Sequence, residues 1–193
     1  MEKNVVLQYL AQLDRQREEI FRRLEAVDPA LLWQRPAPEK WSVGEQLDHT
    51  RAIVRFMRRF IAVLWPFLYL VGRLRRHRPY VTDIDDVYER PGFPLNVGWL
   101  WPPRFAPEKP ASLAELKEAL AEEHRKVRAF YGSKPPDILG NAPLYDPAIG
   151  WMNMVLVLRV GLHHDAHHHK VVEEILEKLG SPLPELPEHK EPV

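Results

Sequence analysis

Five histidines fall within seven residues, in the run His163-His164-Asp165-Ala166-His167-His168-His169. Imidazole moves protons near neutral pH and is the commonest metal ligand among side chains. On a helix, residues four apart share a face. His163/His167 and His164/His168 therefore each form a two-point clamp for one ion. A purification tag would sit at a terminus, whereas this run is internal, broken by Asp-Ala, and set in an apolar-periodic stretch.

Periodicity separates the two pairs. At ~100° per residue, Val157, Gly161, Val171, Ile175 and Leu179 fall within ~60° of His164, and His168 lies ~40° from it in the same stripe. His163 and His167 lie ~100° and ~60° to the other side. His164 and His168 are expected to face a helical interior, with His163, His167 and His169 on the flank or surface. Interior imidazoles need partners for their nitrogens, and a metal ion supplies one. A third ligand is then wanted from His49, His77, His124 and His189. His189 is near the end of the chain, His77 lies in a basic run, and His124 lies within Glu122-Glu123-His124-Arg125-Lys126. His49 borders an apolar stripe in phase with Ile53, Phe56 and Phe60, which makes it the best candidate on pattern.

The elements that must hold these residues read as helices. The first runs from about Asn4 to Val27, with Val6, Leu10, Leu13, Ile20 and Leu24 at helical spacing. Pro29 to Leu32 forms a short helical turn. Ser42-Val43-Gly44-Glu45 is a capping box that opens a second helix, which is expected to bend at Pro66. A second capping box, Ser112 to Glu115, opens a third helix to about Tyr131. The fourth runs from about Trp151 to Leu179, with Gly180 as its stop. No stretch reads as a convincing strand. Residues 79–111 are rich in proline and aromatics and form an expected insertion over the bundle. Residues 181–193 are an expected loose tail. The fold class predicted is an all-α four-helix bundle, one domain over residues 1–180, with the long insertion between helices 2 and 3.

Composition narrows the chemistry. The 193 residues contain no cysteine, so thiolate ligands, disulfides and a cysteine nucleophile are excluded. That fits a reducing compartment, and a cytoplasmic location is expected. Lys plus Arg equals Asp plus Glu at 27 each, which gives no support to nucleic-acid binding. The polar start, Met1 to Asn4, is read as carrying no signal peptide. Phe60 to Gly72 is uncharged, but it is shorter than the ~20 residues a spanning helix needs. It is read as a buried helix end rather than a membrane segment.

Trp41-Ser42-Val43-Gly44-Glu45-Gln46-Leu47-Asp48-His49 resembles the W-S-x-x-E-x-L-x-H segment of the DinB/YfiT-like superfamily. His164-Asp165-Ala166-His167-His168 resembles that superfamily's H-x-x-H-H segment on its last helix. The resemblance spans roughly residues 5 to 180. It implies a four-helix bundle with one divalent metal ion on His49, His164 and His168. Zinc or nickel suits such imidazole ligation, and iron or manganese is compatible with it. Glu45, Asp48, Asp165 and His163 are candidates to orient the ligands. By the same resemblance, the activity expected is an S-transferase using a low-molecular-weight thiol. Metal-dependent hydrolysis and a non-catalytic stress-response role are the alternatives. Expected partners are a small-molecule substrate and a second copy in a homodimer, with neither nucleic acid nor membrane.

Overall fold

Side-chain caps start each long helix. A computed structural model describes residues 4–90 and 111–184. Asn4 accepts from the Val6 amide and opens α1, Val5–Leu24. Ser42 and Glu45 exchange the two hydrogen bonds of a capping box at the start of α2, Val43–Arg75. Ser112 and Glu115 do the same for α3, Leu113–Gly132. After a short α4, Pro136–Leu139, two strands precede α5, Met154–Lys178. Asn153 caps α5 by accepting from both Val155 and Leu156 amides.

The four long helices bury two separate apolar lobes. The first joins Leu10, Leu13, Ile61, Tyr131, Leu158 and Leu162. The second joins Ile20, Phe21, Leu47, Leu120, Val172 and Leu176. Lobe membership gives the direction of each helix. α1 and α5 run from the first lobe to the second, and α2 and α3 run back. α3 and α5 each pack against both α1 and α2, while α1 and α2 barely touch. Because α2 and α3 are parallel, the chain must return the length of the bundle between them. At 1.5 Å per residue, a helix of 20 residues is ~30 Å long. That requirement accounts for the long connection at this point.

The structure departs from the sequence reading in three places. A hairpin of β1, Pro143–Asp146, and β2, Gly150–Asn153, precedes α5, where no strand was expected. Asp146 Oδ1 accepts from the amides of Ala148 and Ile149, and Gly150 takes φ +100°, which closes the three-residue loop Pro147-Ala148-Ile149. The strands are four residues each, too short for alternation to show. The expected fourth helix accordingly begins at Met154, not Trp151. α2 runs as one helix past Pro66, the position where a bend is expected. Its end is also only half buried. Ile61 and Leu68 face the core, while Val63, Phe67 and Leu74 are exposed at 79%, 65% and 77%. No described helix is long and apolar enough to cross a membrane.

Most of the expected insertion, residues 91–110, and the end of the expected tail lie outside the described residues. The described part packs onto α1, α5 and the hairpin. Tyr9 Oη donates to Thr82 O at 2.9 Å, Arg159 pairs with Asp83 at 2.7 Å, and Asn153 Nδ2 donates to Val81 O at 2.8 Å. A short 3-10 helix, Val87–Glu89, lies against α5.

Asn153 therefore both caps α5 and ties down the returning chain. Asn153→Ala should lower unfolding free energy by about 1–2 kcal/mol, at the upper end for caps because the tie to Val81 is lost too. Guanidinium unfolding measures this; an unchanged midpoint would show that neither bond contributes.

Candidate metal centre

Between the two lobes lies a polar layer. On α5 it is the histidine run, between Leu162 in one lobe and Val172 in the other. On α2 it holds His49, on α3 Glu123 and His124, and on α1 Arg17. His49, His164 and His168 converge there, each half-buried, and a ligand nitrogen from each lies within 4.8 Å of the others. Ring centroids are 5.5 Å apart for His49 and His164, 4.7 Å for His49 and His168, and 4.5 Å for His164 and His168.

Hydrogen bonds decide which nitrogens are available. His168 Nδ1 donates to Gln46 Oε1 at 2.6 Å. His164 Nδ1 donates to Asp165 Oδ1 at 3.1 Å. Each ring is thereby held in the tautomer that leaves Nε2 with its lone pair free. Asp165, 2% exposed, has its other oxygen 3.5 Å from His124 Nε2. His124 Nδ1 in turn accepts from Arg17 Nη1 at 3.1 Å. An arginine always donates, so this contact puts the His124 proton on Nε2, toward Asp165. The result is one directed chain, Arg17 to His124 to Asp165, with His164 donating to the same carboxylate.

Burial sets the protonation states. Desolvation pushes His49 down to about 4, with His164 adding to the shift. Desolvation also depresses His168, reinforced by His164 and His49. Burial alone would raise Asp165, but the bonds and charges of His124 and His164 outweigh it and hold the carboxyl below its usual range. His49 and His168 are thus neutral imidazoles near an ionised carboxylate, the state metal ligands require. The ligand atoms of the three residues lie close enough together to serve one ion. The donor set fits a divalent ion.

A cavity of about 480 Å³ opens from the cluster into the first lobe. Its wall is mostly apolar, including Ile53, Met57, Val127, Phe130, Met152 and Val157. Gly161 also lines it, one turn before His164. Tyr88 closes one side; its ring stacks on His167 at 4.6 Å and meets His164 edge-on at 6.1 Å. Burial raises the Tyr88 pKa, so Oη keeps its proton at neutral pH.

Several placements differ from the sequence reading. His163 was expected on the flank or surface, yet it is 6% exposed, with Nδ1 3.8 Å from Asp86. The crossover chain covers that side of α5, which helical phase alone does not show. His167 is half-buried under Tyr88 rather than at the surface. His169 is likewise half-buried, with Nε2 inside the protein. Among the orienting candidates, Asp165 touches a cluster histidine. Glu45 serves the α2 cap and pairs with Arg35, and Asp48 pairs with Arg51 at 2.7 Å. His124, Gln46, Arg17 and Tyr88 were missed. Gln46 alone had a local signal, since it sits three residues before His49.

The sequence model of the DinB superfamily matches residues 12–172. No curated protein matches the chain. Among solved structures, the chain is similar to YfiT from Bacillus subtilis, described as a probable metal-dependent hydrolase with an unusual four-helix bundle topology. The TM-score is 0.56 at 15% identity, covering 94% of this chain and 91% of that one. At that identity the likeness speaks for the fold.

The His49 shift has a consequence for the metal-free protein. An unfolded histidine titrates near ~6.5, whereas folded His49 titrates at about 4. Between those values the unfolded chain binds a proton that the native state does not. Stability is therefore lost as pH falls from ~6.5 toward about 4. Urea midpoints measured from pH 7 to pH 4.5 should fall, and His49→Gln should flatten the fall. Parallel curves for the two proteins would refute the assignment.

Proposed function

The chain belongs to the DinB superfamily, and we propose that it is a metal-dependent hydrolase whose single divalent ion is held by His49, His164 and His168. The observation that carries this is the convergence of three imidazoles, two oriented by Gln46 and Asp165, at the mouth of a mostly apolar cavity. Zinc or nickel suits the donors best, with iron or manganese as the other candidates.

A divalent ion there would supply Lewis acidity, acidifying a water and polarising an acyl oxygen. The protein's own groups do the rest. Gln46 and Asp165 hold two rings in register, and Arg17 and His124 keep Asp165 ionised and aimed. The apolar wall excludes bulk water. Tyr88 holds a proton at Oη beside the cluster. YfiT's description as a hydrolase supports the same class. Thiol S-transfer is the second reading. The same metal chemistry would activate a thiol, and the superfamily resemblance in the two histidine motifs favours it.

Zinc loading of untagged protein should give about one equivalent, because three ligands from two helices make one site. In chelator competition, His49→Ala, His164→Ala and His168→Ala should each abolish tight binding. His169→Ala should stay within a few fold. Loss of binding in His163→Ala with retention in His164→Ala would overturn the ligand set.

The orienting partners should matter by a smaller factor. Asp165→Asn and Gln46→Ala should each weaken metal affinity by about 10–100-fold. Assays of the loaded protein with p-nitrophenyl esters, and separately with glutathione-type and bacillithiol-type thiols plus an electrophile, separate the two readings. Turnover only with thiols would replace hydrolysis by transfer.

A further inference from the structure

Among the described residues, the charged groups lining the cavity beside the histidines each already have a partner. Arg58 lines it but is held by Glu123 at 3.0 Å. Asp146 lines it but accepts from two backbone amides of its own loop. Asp165 is engaged by His124 and His164. What remains is apolar wall with imidazole and phenol rings at one end. Away from the histidines, an anionic group would enter this apolar space without a counter-charge, which is strongly unfavourable.

Gly161 adds an independent observation. It sits inside α5, where glycine is less favourable than alanine. A Cβ built there meets nothing within 4 Å, so no neighbour excludes a side chain. The position lines the cavity a turn from His164, and a side chain there would occupy the space next to the cluster. Glycine keeps that space open at the expense of helix propensity.

We infer that the site takes a neutral acyl ester or amide with an apolar chain, its carbonyl at the histidines and its chain in the cavity past Gly161. The carbonyl end of this inference rests on the proposed metal site; the chain end rests on the cavity alone. At about 480 Å³ the space matches ligand pockets of ~300–1,000 Å³. Hydrolysis would add water across the acyl bond, giving a carboxylic acid and an alcohol or amine.

Two arms test it. In metal-free protein, the neutral fluorophore N-phenyl-1-naphthylamine should bind and be displaced by octan-1-ol. Gly161→Leu should weaken that binding at least about tenfold, because each methylene moved from water to an apolar site is worth about fourfold, while its melting temperature stays level or rises. If Gly161→Leu does not fold, Gly161→Met, whose side chain bends, replaces it. In zinc-loaded protein, octanohydroxamate should bind more than about tenfold tighter than acetohydroxamate, and Gly161→Leu should erase the difference. Absence of probe binding in the wild-type protein, or a Gly161→Leu variant that binds as the wild type does, overturns the inference even if zinc binds. Failure of the hydroxamate arm with the fluorophore arm intact counts against the metal reading and leaves the cavity assigned.

Discussion

A polar layer through the middle of a helical bundle must satisfy itself, and that requirement organises this molecule. An unpaired buried donor or acceptor costs about 1–3 kcal/mol. Here contacts from all four long helices meet in the layer: Arg17 from α1, Gln46 and Arg58 from α2, Glu123 and His124 from α3, and the histidines and Asp165 from α5, while His169 Nε2 is buried without a hydrogen bond. Asp165 is the centre of this arrangement. With His124 and His164 against its two oxygens, it can stay ionised while almost wholly enclosed. Removing it would strand two imidazole N–H groups and release the ring that it orients. The apolar lobes on either side supply the cohesion, and the layer fixes which helix faces which.

The helix order follows from the same geometry. His49 comes from α2 and the other two cluster histidines from the neighbouring, oppositely directed α5. Three nitrogens thus meet across one helix–helix contact, and neither helix could assemble the cluster alone. The parallel pairing of α2 with α3 demands a long return, and its described portion lies over α5. That portion turns a flank histidine, His163, into a buried one and brings Tyr88 against His164 and His167. The crossover required by topology is thereby also a wall of the site.

What could be read from the sequence divides along physical lines. Helix starts were legible because capping is local: Ser42 with Glu45, and Ser112 with Glu115, announce themselves within four residues. The inward face of α5 was legible because an apolar stripe has a period. His49, His164 and His168 follow from phase and are brought together in the fold. The hydrogen-bond partners were not legible. Arg17 and His124 are 107 positions apart, and His124 sits among charges that read as a solvated face. Its burial depends on the neighbouring α1 and α5, which no single-helix pattern contains. The hairpin escaped because strands of four residues carry too little alternation. Trp151, expected at the start of the fourth helix, belongs to the second of these strands.

The histidine run behaves differently before and after folding. In an unfolded chain, five imidazoles in seven residues form a flexible chelator that needs no partner helix. Folding rotates them apart. His164 and His168 turn to His49, His163 turns to Asp86, and His167 goes under Tyr88. The chain thus exchanges an unselective multidentate tether for a three-point site that includes a residue more than a hundred positions away. A metal that binds both forms stabilises the native one only by the difference between the two affinities. Newly made or unfolded chain would therefore compete for the ion with finished protein, and the gain in thermal resistance on loading would be smaller than the affinity of the folded site alone suggests.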